Sequence, residues 1–210
     1  MVVACSYIET AWIPRLPGVR LLRTPMGAAA GAAVKRALEA GEEPDLILST
    51  GFCGGLAPSL RPGRIVLAKE IRHRGETIPL DVDLFERAKN GLSRGGVDFT
   101  AGAIESVDQV VESVAEKKDL GKKGTIAVEM EDGSLVRLTR ESRIGFLSVR
   151  AVIDSVDRAL PFSSDRALVR SVLMHPIATL RFAWLSFLAG RAIGRAIPAV
   201  VGAFRDLEIE

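Results

Sequence analysis

The sequence predicts a single α/β domain. Two observations carry that expectation: apolar runs of strand length alternate with longer segments of helical period, and the 210 residues are 48% hydrophobic and 26% charged, enough for one sizeable core. Taken in order, "MVVACSY" and "VRLLRTPMG" read as strands, and "AAAGAAVKRALEAG" as an alanine-rich helix closed by Gly41. "PDLILSTG" is a buried strand entered through Pro44, and "GRIVLAKEI" is another. "DVDLFERAKNGLSRGG" is a helix ended by glycines, "VDFTAGAIES" is extended, and "DQVVESVAEKKDLGKKG" starts helical and runs into a loop. "TIAVEME" is a strand, "DGSLVRLTRES" a helix and "IGFLSVRAVID" a strand, after which residues 164–206 read as helical, interrupted at Pro176 and Pro198. The α/β domain is therefore expected over residues 1–163, with 164–210 a helical segment of the same domain. No internal repeat or low-complexity linker breaks the chain.

Several function classes are excluded at this level. A formal net charge of +2 is too small for a surface that tracks phosphates, so no nucleic-acid partner is expected. Cys5 and Cys53 sit among apolar neighbours without ligand spacing, and His73 and His175 stand alone, so neither a disulfide scaffold nor a metal site is expected. A reducing, cytoplasmic compartment fits this cysteine usage. The N-terminus lacks a basic segment followed by an apolar run, and Pro14 and Pro17 rule out a helical signal core there. Near the C-terminus the uncharged runs around 182–190 and 196–204 are bounded by Arg181, Arg191, Arg195 and Arg205. They fall short of the ~20 residues a spanning helix needs, so no transmembrane span is expected.

Two stretches raise a question of chemistry. "STGFCGGLAP" reads as a glycine-rich turn after the third strand. The spacing of Gly51, Gly54 and Gly55 does not match G-x-G-x-x-G, and Pro58 and Pro62 argue against a long following helix, so no dinucleotide cofactor is expected. Glycines at the carboxyl end of a buried strand do let a ligand approach the main chain closely, here at Phe52, Cys53 and Gly54. "IAVEMEDGS" places Glu129 and Glu131 on either side of Met130 in an apolar run. In a strand both acids share one face, and that face is either wet or turned to a ligand.

"TPMGAAAGAAVKRAL", "PDLILSTGFCGGLAPSLRPGRIVLAKEI", "AVEMEDGSLVRL" and "FLSVRAVIDSVDRALP" follow one another in the order and spacing of the nucleoside phosphorylase and nucleosidase superfamily, which the chain resembles. The resemblance implies a twisted mixed sheet flanked by helices on both faces. It also implies cleavage of the N-glycosidic bond of a purine nucleoside, with no metal or organic cofactor, and inorganic phosphate as the optional co-substrate. Glu131 would hold the ribose hydroxyls, Met130 would pack on the sugar, and Glu129 would face the same cavity. Such cleavage develops oxocarbenium charge on the ribose, which a carboxylate bonded to the hydroxyls stabilises. Asp154 would be the general acid, because a purine leaves more readily once protonated. Ile153 stands where the family commonly has a serine that orients this acid. Asp132 and Asp157 read as helix-start and loop acids.

Glu9, in "CSYIETAW", lies where nucleosidases have the glutamate that activates water, whereas a phosphorylase needs cations for phosphate. Ser49 and Thr50 stand where an arginine is common, which leaves Arg15, Arg20, Arg23, Arg72 or the main chain from Phe52 to Gly55 to hold an anion. Water and phosphate both stay open as acceptor. Val110 occupies the position of a base-stacking aromatic, so stacking on the base is expected to be weaker or to come from elsewhere, with Phe52 a candidate. The C-terminal "MHPIATLRFAWLSFLAGRAIGRA" resembles hopanoid-associated phosphorylases and implies a lipid-linked nucleoside such as adenosylhopane, and peripheral contact with the inner face of the membrane. Leu180, Trp184, Phe187 and Leu188 recur at helical spacing, as for a helix packed on the sheet or on a dimer partner. The resemblance also implies a homodimer.

Overall fold

The computed structural model describes residues 1–158 and 176–205. The expected helix start at Ser164, its end at Asp206, the boundary between residues 163 and 164, and His175 lie outside the described residues. β1 (Val2–Ala4) is central enough to be fully buried, and pairs in parallel with the edge strand β2 (Leu21–Arg23) and with β3 (Leu46–Gly55). Both early strands are shorter than the sequence indicated. Ser6 caps a short helical turn, α1 (Tyr7–Thr10), by accepting from the Glu9 amide at 3.2 Å, which ends β1 early. Beyond β2, Pro25 has no amide to donate and Gly27 takes φ 73°, so the ladder cannot continue.

α2 (Ala29–Glu39) leads to β3, and β4 (Ile65–His73) is followed by β5 (Glu76–Pro79), which the sequence reading missed. The two form an antiparallel hairpin across Arg74 and Gly75, both at positive φ, as a two-residue turn of that hand requires. α3 (Val82–Arg94), capped by Asp81, precedes β6 (Phe99–Ser106). α4 (Val114–Lys122) starts at a capping box between Ser113 and Glu116. β7 (Thr125–Glu129), α5 (Asp132–Ser142) and β8 (Gly145–Asp154) follow, and α6 (Pro176–Arg205) completes the described chain. Because β7 stops at Glu129 and Glu131 begins the next helix, the two acids are not alternate residues of one strand face, contrary to expectation.

The sheet runs β2-β1-β3-β7-β6-β4-β5, and β8 pairs with both β3 and β4. This makes the expected mixed sheet with one addition: β3, β7, β6, β4 and β8 close into a ring. The ring explains why "STGFCGG" is strand rather than turn. β3 continues to Gly55 so that its end can leave β1 and reach β7, where Gly54 opposes Val128 and Gly55 opposes Ala127. A Cβ on Gly55 would lie 3.2 Å from the Asp154 carbonyl oxygen, so glycine permits this close crossing.

Helices cover both faces as expected. Val34 of α2 and Leu135 and Val136 of α5 close one core layer over Ile47, Val66 and Ile71. Phe85 and Leu92 of α3 and Ile193 and Ile197 of α6 close the other over Leu67, Leu147 and Val149. α6 runs unbroken through Pro198. Losing one helical hydrogen bond and crowding the preceding turn costs ~3 kcal/mol, and the full burial of Ala196, Ile197 and Val200 offsets it. By length and composition, the stretch from Thr179 to Arg205 would be enough to cross a membrane. Part of that apolar content is a face packed on α3 and β8 in the core.

Candidate active site

A cavity of about 510 Å³ opens where β3, β7 and β8 end beside α1, α4 and the start of α5. It is lined by Glu9, Phe52, Cys53, Gly54, Val110, Glu129, Met130, Glu131 and Asp154, so the residues singled out from the sequence converge on one space. Strand and helix ends produce that convergence. β3 delivers Phe52 to Gly54, β8 delivers Asp154 as its last residue, and the β7–α5 junction delivers Glu129 to Glu131.

Glu9 is buried rather than exposed at a strand end. Its Oε2 accepts from the Cys5 amide at 3.2 Å, the Cys5 thiol at 3.0 Å and the Ser6 amide at 2.9 Å, and its Oε1 accepts from the Phe52 amide at 2.8 Å. Gly51 makes room for it. Its φ of 147° favours glycine, and a Cβ there would stand 2.7 Å from Glu9 Oε1. Burial pushes the thiols of Cys5 and Cys53 up, the latter to about 12, so both stay neutral in this wall.

Glu131 accepts from the Gly27 amide at 3.0 Å through Oε1 and from Arg150 Nη1 at 3.1 Å through Oε2. Arg150, on β8 and fully buried, was missed in the sequence. It also donates through Nη2 to Glu129 Oε2 at 2.8 Å and to Asp132 Oδ1 at 2.5 Å. Burial alone would lower the guanidinium's pKa, but the three acids, Asp132 foremost, outweigh it and raise it well above the usual range. Burial, then the charge of Asp132, pushes the Glu129 carboxyl well above the usual carboxylate range against the pull of Arg150. Glu129 Oε2 also accepts the amides of Glu131 at 2.7 Å and Asp132 at 2.9 Å, which fixes the first turn of α5. Asp132 does sit at a helix start, yet it is buried and accepts from the hydroxyls of Ser49 at 2.6 Å and Ser148 at 2.5 Å. Asp157 is exposed and lies 3.8 Å from Lys118 Nζ, as a loop acid should.

Asp154 is buried, and its Oδ2 accepts from the ammonium of Lys117, a second residue the sequence reading overlooked. The other candidate cations lie elsewhere. Arg20 pairs with Glu42, Arg72 pairs with Glu70, and neither Arg15 nor Arg23 lines the cavity. The cavity rim is apolar, with Ile8 46% and Met26 55% exposed beside Val110, Val111 and Phe182 of α6. Two residues beyond Phe182, and so on another face of the helix, Trp184 stacks on Phe187, which meets the edge of Trp12 at 5.2 Å.

Residues 13–174 match the family model described as the phosphorylase superfamily. Among solved structures, futalosine hydrolase of Helicobacter pylori is similar at 16% identity and TM-score 0.74, over 96% of each chain. The methylthioadenosine/S-adenosylhomocysteine nucleosidase of Neisseria meningitidis, in complex with methylthio-immucillin-A, is similar at 20% identity and TM-score 0.74, over 95% of this chain and 96% of that one. Its counterpart from Streptococcus pneumoniae, with a transition-state inhibitor, is similar at 17% identity and TM-score 0.73, over 97% and 98%. At such identities the likeness is one of fold.

Proposed function

The chain belongs to the phosphorylase superfamily, and on that premise we propose that it cleaves the N-glycosidic bond of a purine nucleoside with water as the acceptor. The observation that carries this reading is the gathering of Glu9, Glu131 and Asp154 around one cavity of about 510 Å³. Glu131, fixed by Arg150 and the Gly27 amide, holds the ribose hydroxyls and stabilises the positive charge that grows on the sugar. Met130 packs against the ribose, and Phe52 and Val110 flank the base. Glu9 takes the proton of the attacking water, and Asp154 delivers a proton to the N7 side of the departing purine. Water is favoured over phosphate because Lys117 is the cation in the described wall of the cavity, and it is already engaged by Asp154.

The substrate we favour is an adenosine whose 5′ substituent is long and apolar, such as adenosylhopane. The exposed Ile8 and Met26 at the mouth support it, because they carry the apolar rim outward. Within this reading the enzyme works in the cytoplasm as a homodimer against the inner face of the membrane. No nucleic acid or cofactor takes part. The test is a panel of 5′-substituted adenosines, from methylthio to long alkyl, incubated with and without phosphate and analysed for free adenine and sugar products. Adenine and free sugar, highest for the long alkyl members, are expected. A sugar 1-phosphate would replace water by phosphate, efficient cleavage of methylthioadenosine alone would replace the lipid by a soluble nucleoside, and no release from any member would leave a binding protein.

A further inference from the structure

A general acid must hold a proton before it can give one, and the surroundings of Asp154 show where that proton is kept. Lys117 enters the cavity from α4 as a fully buried side chain. Its ammonium donates to Asp154 Oδ2 and, at 2.8 Å, to the carbonyl oxygen of Arg158. Asp154 Oδ1 is buried without a hydrogen-bond partner among the described residues. Ile153 beside it has no hydroxyl to orient the carboxyl, so Lys117 alone fixes that group from the side chains described. In this contact Lys117 Nζ is the donor and Asp154 Oδ2 the acceptor. The transferable proton in this pair is on Nζ.

Building on the cleavage reading above, we propose that Lys117 stores the proton that Asp154 delivers to the leaving purine. The proton passes from Lys117 Nζ to Asp154, whose carboxyl turns about its soft Cβ–Cγ bond and hands it to N7. The C1′–N9 bond breaks, its electron pair stays with the purine, and the purine leaves neutral. Asp154 is again a carboxylate, and once the product has gone Glu9 gives up to solvent the proton it took from the attacking water while the neutral Lys117 amine takes one from solvent. Lys117 touches no substrate atom and acts through Asp154. The geometry is supported by the acidity of the group, since burial lowers the Lys117 ammonium to about 8 and makes it a proton donor of useful strength near neutral pH.

Among the described residues, the other titratable groups on the cavity wall are Cys5, Glu9, Cys53, Glu129 and Glu131. The two thiols are pushed up and stay neutral at this pH. Glu9 and Glu131 act on water and on the ribose, steps that every leaving group shares, and Glu129 is tied to Arg150 and to the first turn of α5.

That difference defines the experiment. Rates are measured from pH 6 to 10 for a purine nucleoside that the wild type cleaves and for its N7-methylated form, whose base departs neutral without a proton. In the wild type, kcat for the ordinary nucleoside should fall tenfold per pH unit above about 8, while the N7-methylated form shows no such limb. Lys117→Met should lose ~10²-fold in kcat on the ordinary nucleoside at nearly unchanged KM, and should cleave the N7-methylated form at close to the wild-type rate. Lys117→Arg keeps the charge but holds its proton too tightly to pass it on, and should not rescue the rate. Equal losses on the two substrates, or rescue by arginine, would reduce Lys117 to a structural role. If Lys117→Met does not fold, the two wild-type profiles decide, because a shared alkaline limb overturns the proposal. Failure of the wild type to cleave any nucleoside overturns the cleavage reading itself, a separate outcome.

Discussion

Glu131 shows how far single residues specify the proposed chemistry. Its carboxylate is anchored at one oxygen by the Gly27 amide and at the other by Arg150, so it is held ready and does not need to reorganise as charge develops. Glu131→Gln is expected to lower kcat/KM by ~10²-fold, and the loss should shrink on a 2′,3′-dideoxy substrate that lacks the hydroxyls. Steady-state kinetics on the two substrates check this, and equal losses would remove Glu131 from the ribose. Glu131 and Asp154 were legible in the sequence because they stand in short motifs of unusual composition. Arg150 and Lys117 were not. An arginine in an apolar strand says nothing of its partners until α5 places Glu131 and Asp132 against it. Lys117 hides among five other lysines and acids of "EKKDLGKK", which reads as a solvated face. The signal that would have found it is the capping box at Ser113 and Glu116, which sets the helix register and puts Val114, Lys117 and Gly121 on one side.

At the scale of elements, local sequence marked each long helix and strand, while the short pieces depended on chemistry that periodicity does not register. α1 exists through the Ser6 cap, and β5 through a two-residue turn at Arg74 and Gly75. The extension of β3 to Gly55 could not be read locally, because its partner β7 lies some seventy residues further along the chain. α6 gives a test of packing that avoids the active site. A Cβ on Gly190 would stand 2.2 Å from Trp12 Nε1, whereas one on Gly202 would meet nothing within 4 Å. Gly190→Ala should therefore destabilise the fold by ~1–3 kcal/mol, since the indole must move. Gly202→Ala should stabilise it by up to ~1 kcal/mol, through helix propensity alone. Urea unfolding of the pair checks this, and similar shifts would mean that Trp12 is not seated in the groove.

For the whole molecule, α6 has two uses. Its inner face belongs to the core, so deleting it would unfold the domain and cannot test a surface role. Its outer face carries Leu180 and Trp184, 72% and 59% exposed. If this face meets a membrane, the protein should pellet with anionic vesicles, and replacing Leu180, Trp184 and Phe187 by serine should leave it in the supernatant with its fold intact. Pelleting that is indifferent to these changes would place the contact elsewhere. The closed ring has a further consequence for how such a molecule behaves when crowded. Sheet proteins are recruited into fibrils through unpaired edges, and β3, β4, β6, β7 and β8 offer none, since each is bonded on both sides. Among the described residues the free edges are β2 and β5, three and four residues long. One ends in Arg23 and the other in Pro79, so neither presents a backbone row long enough to template another chain.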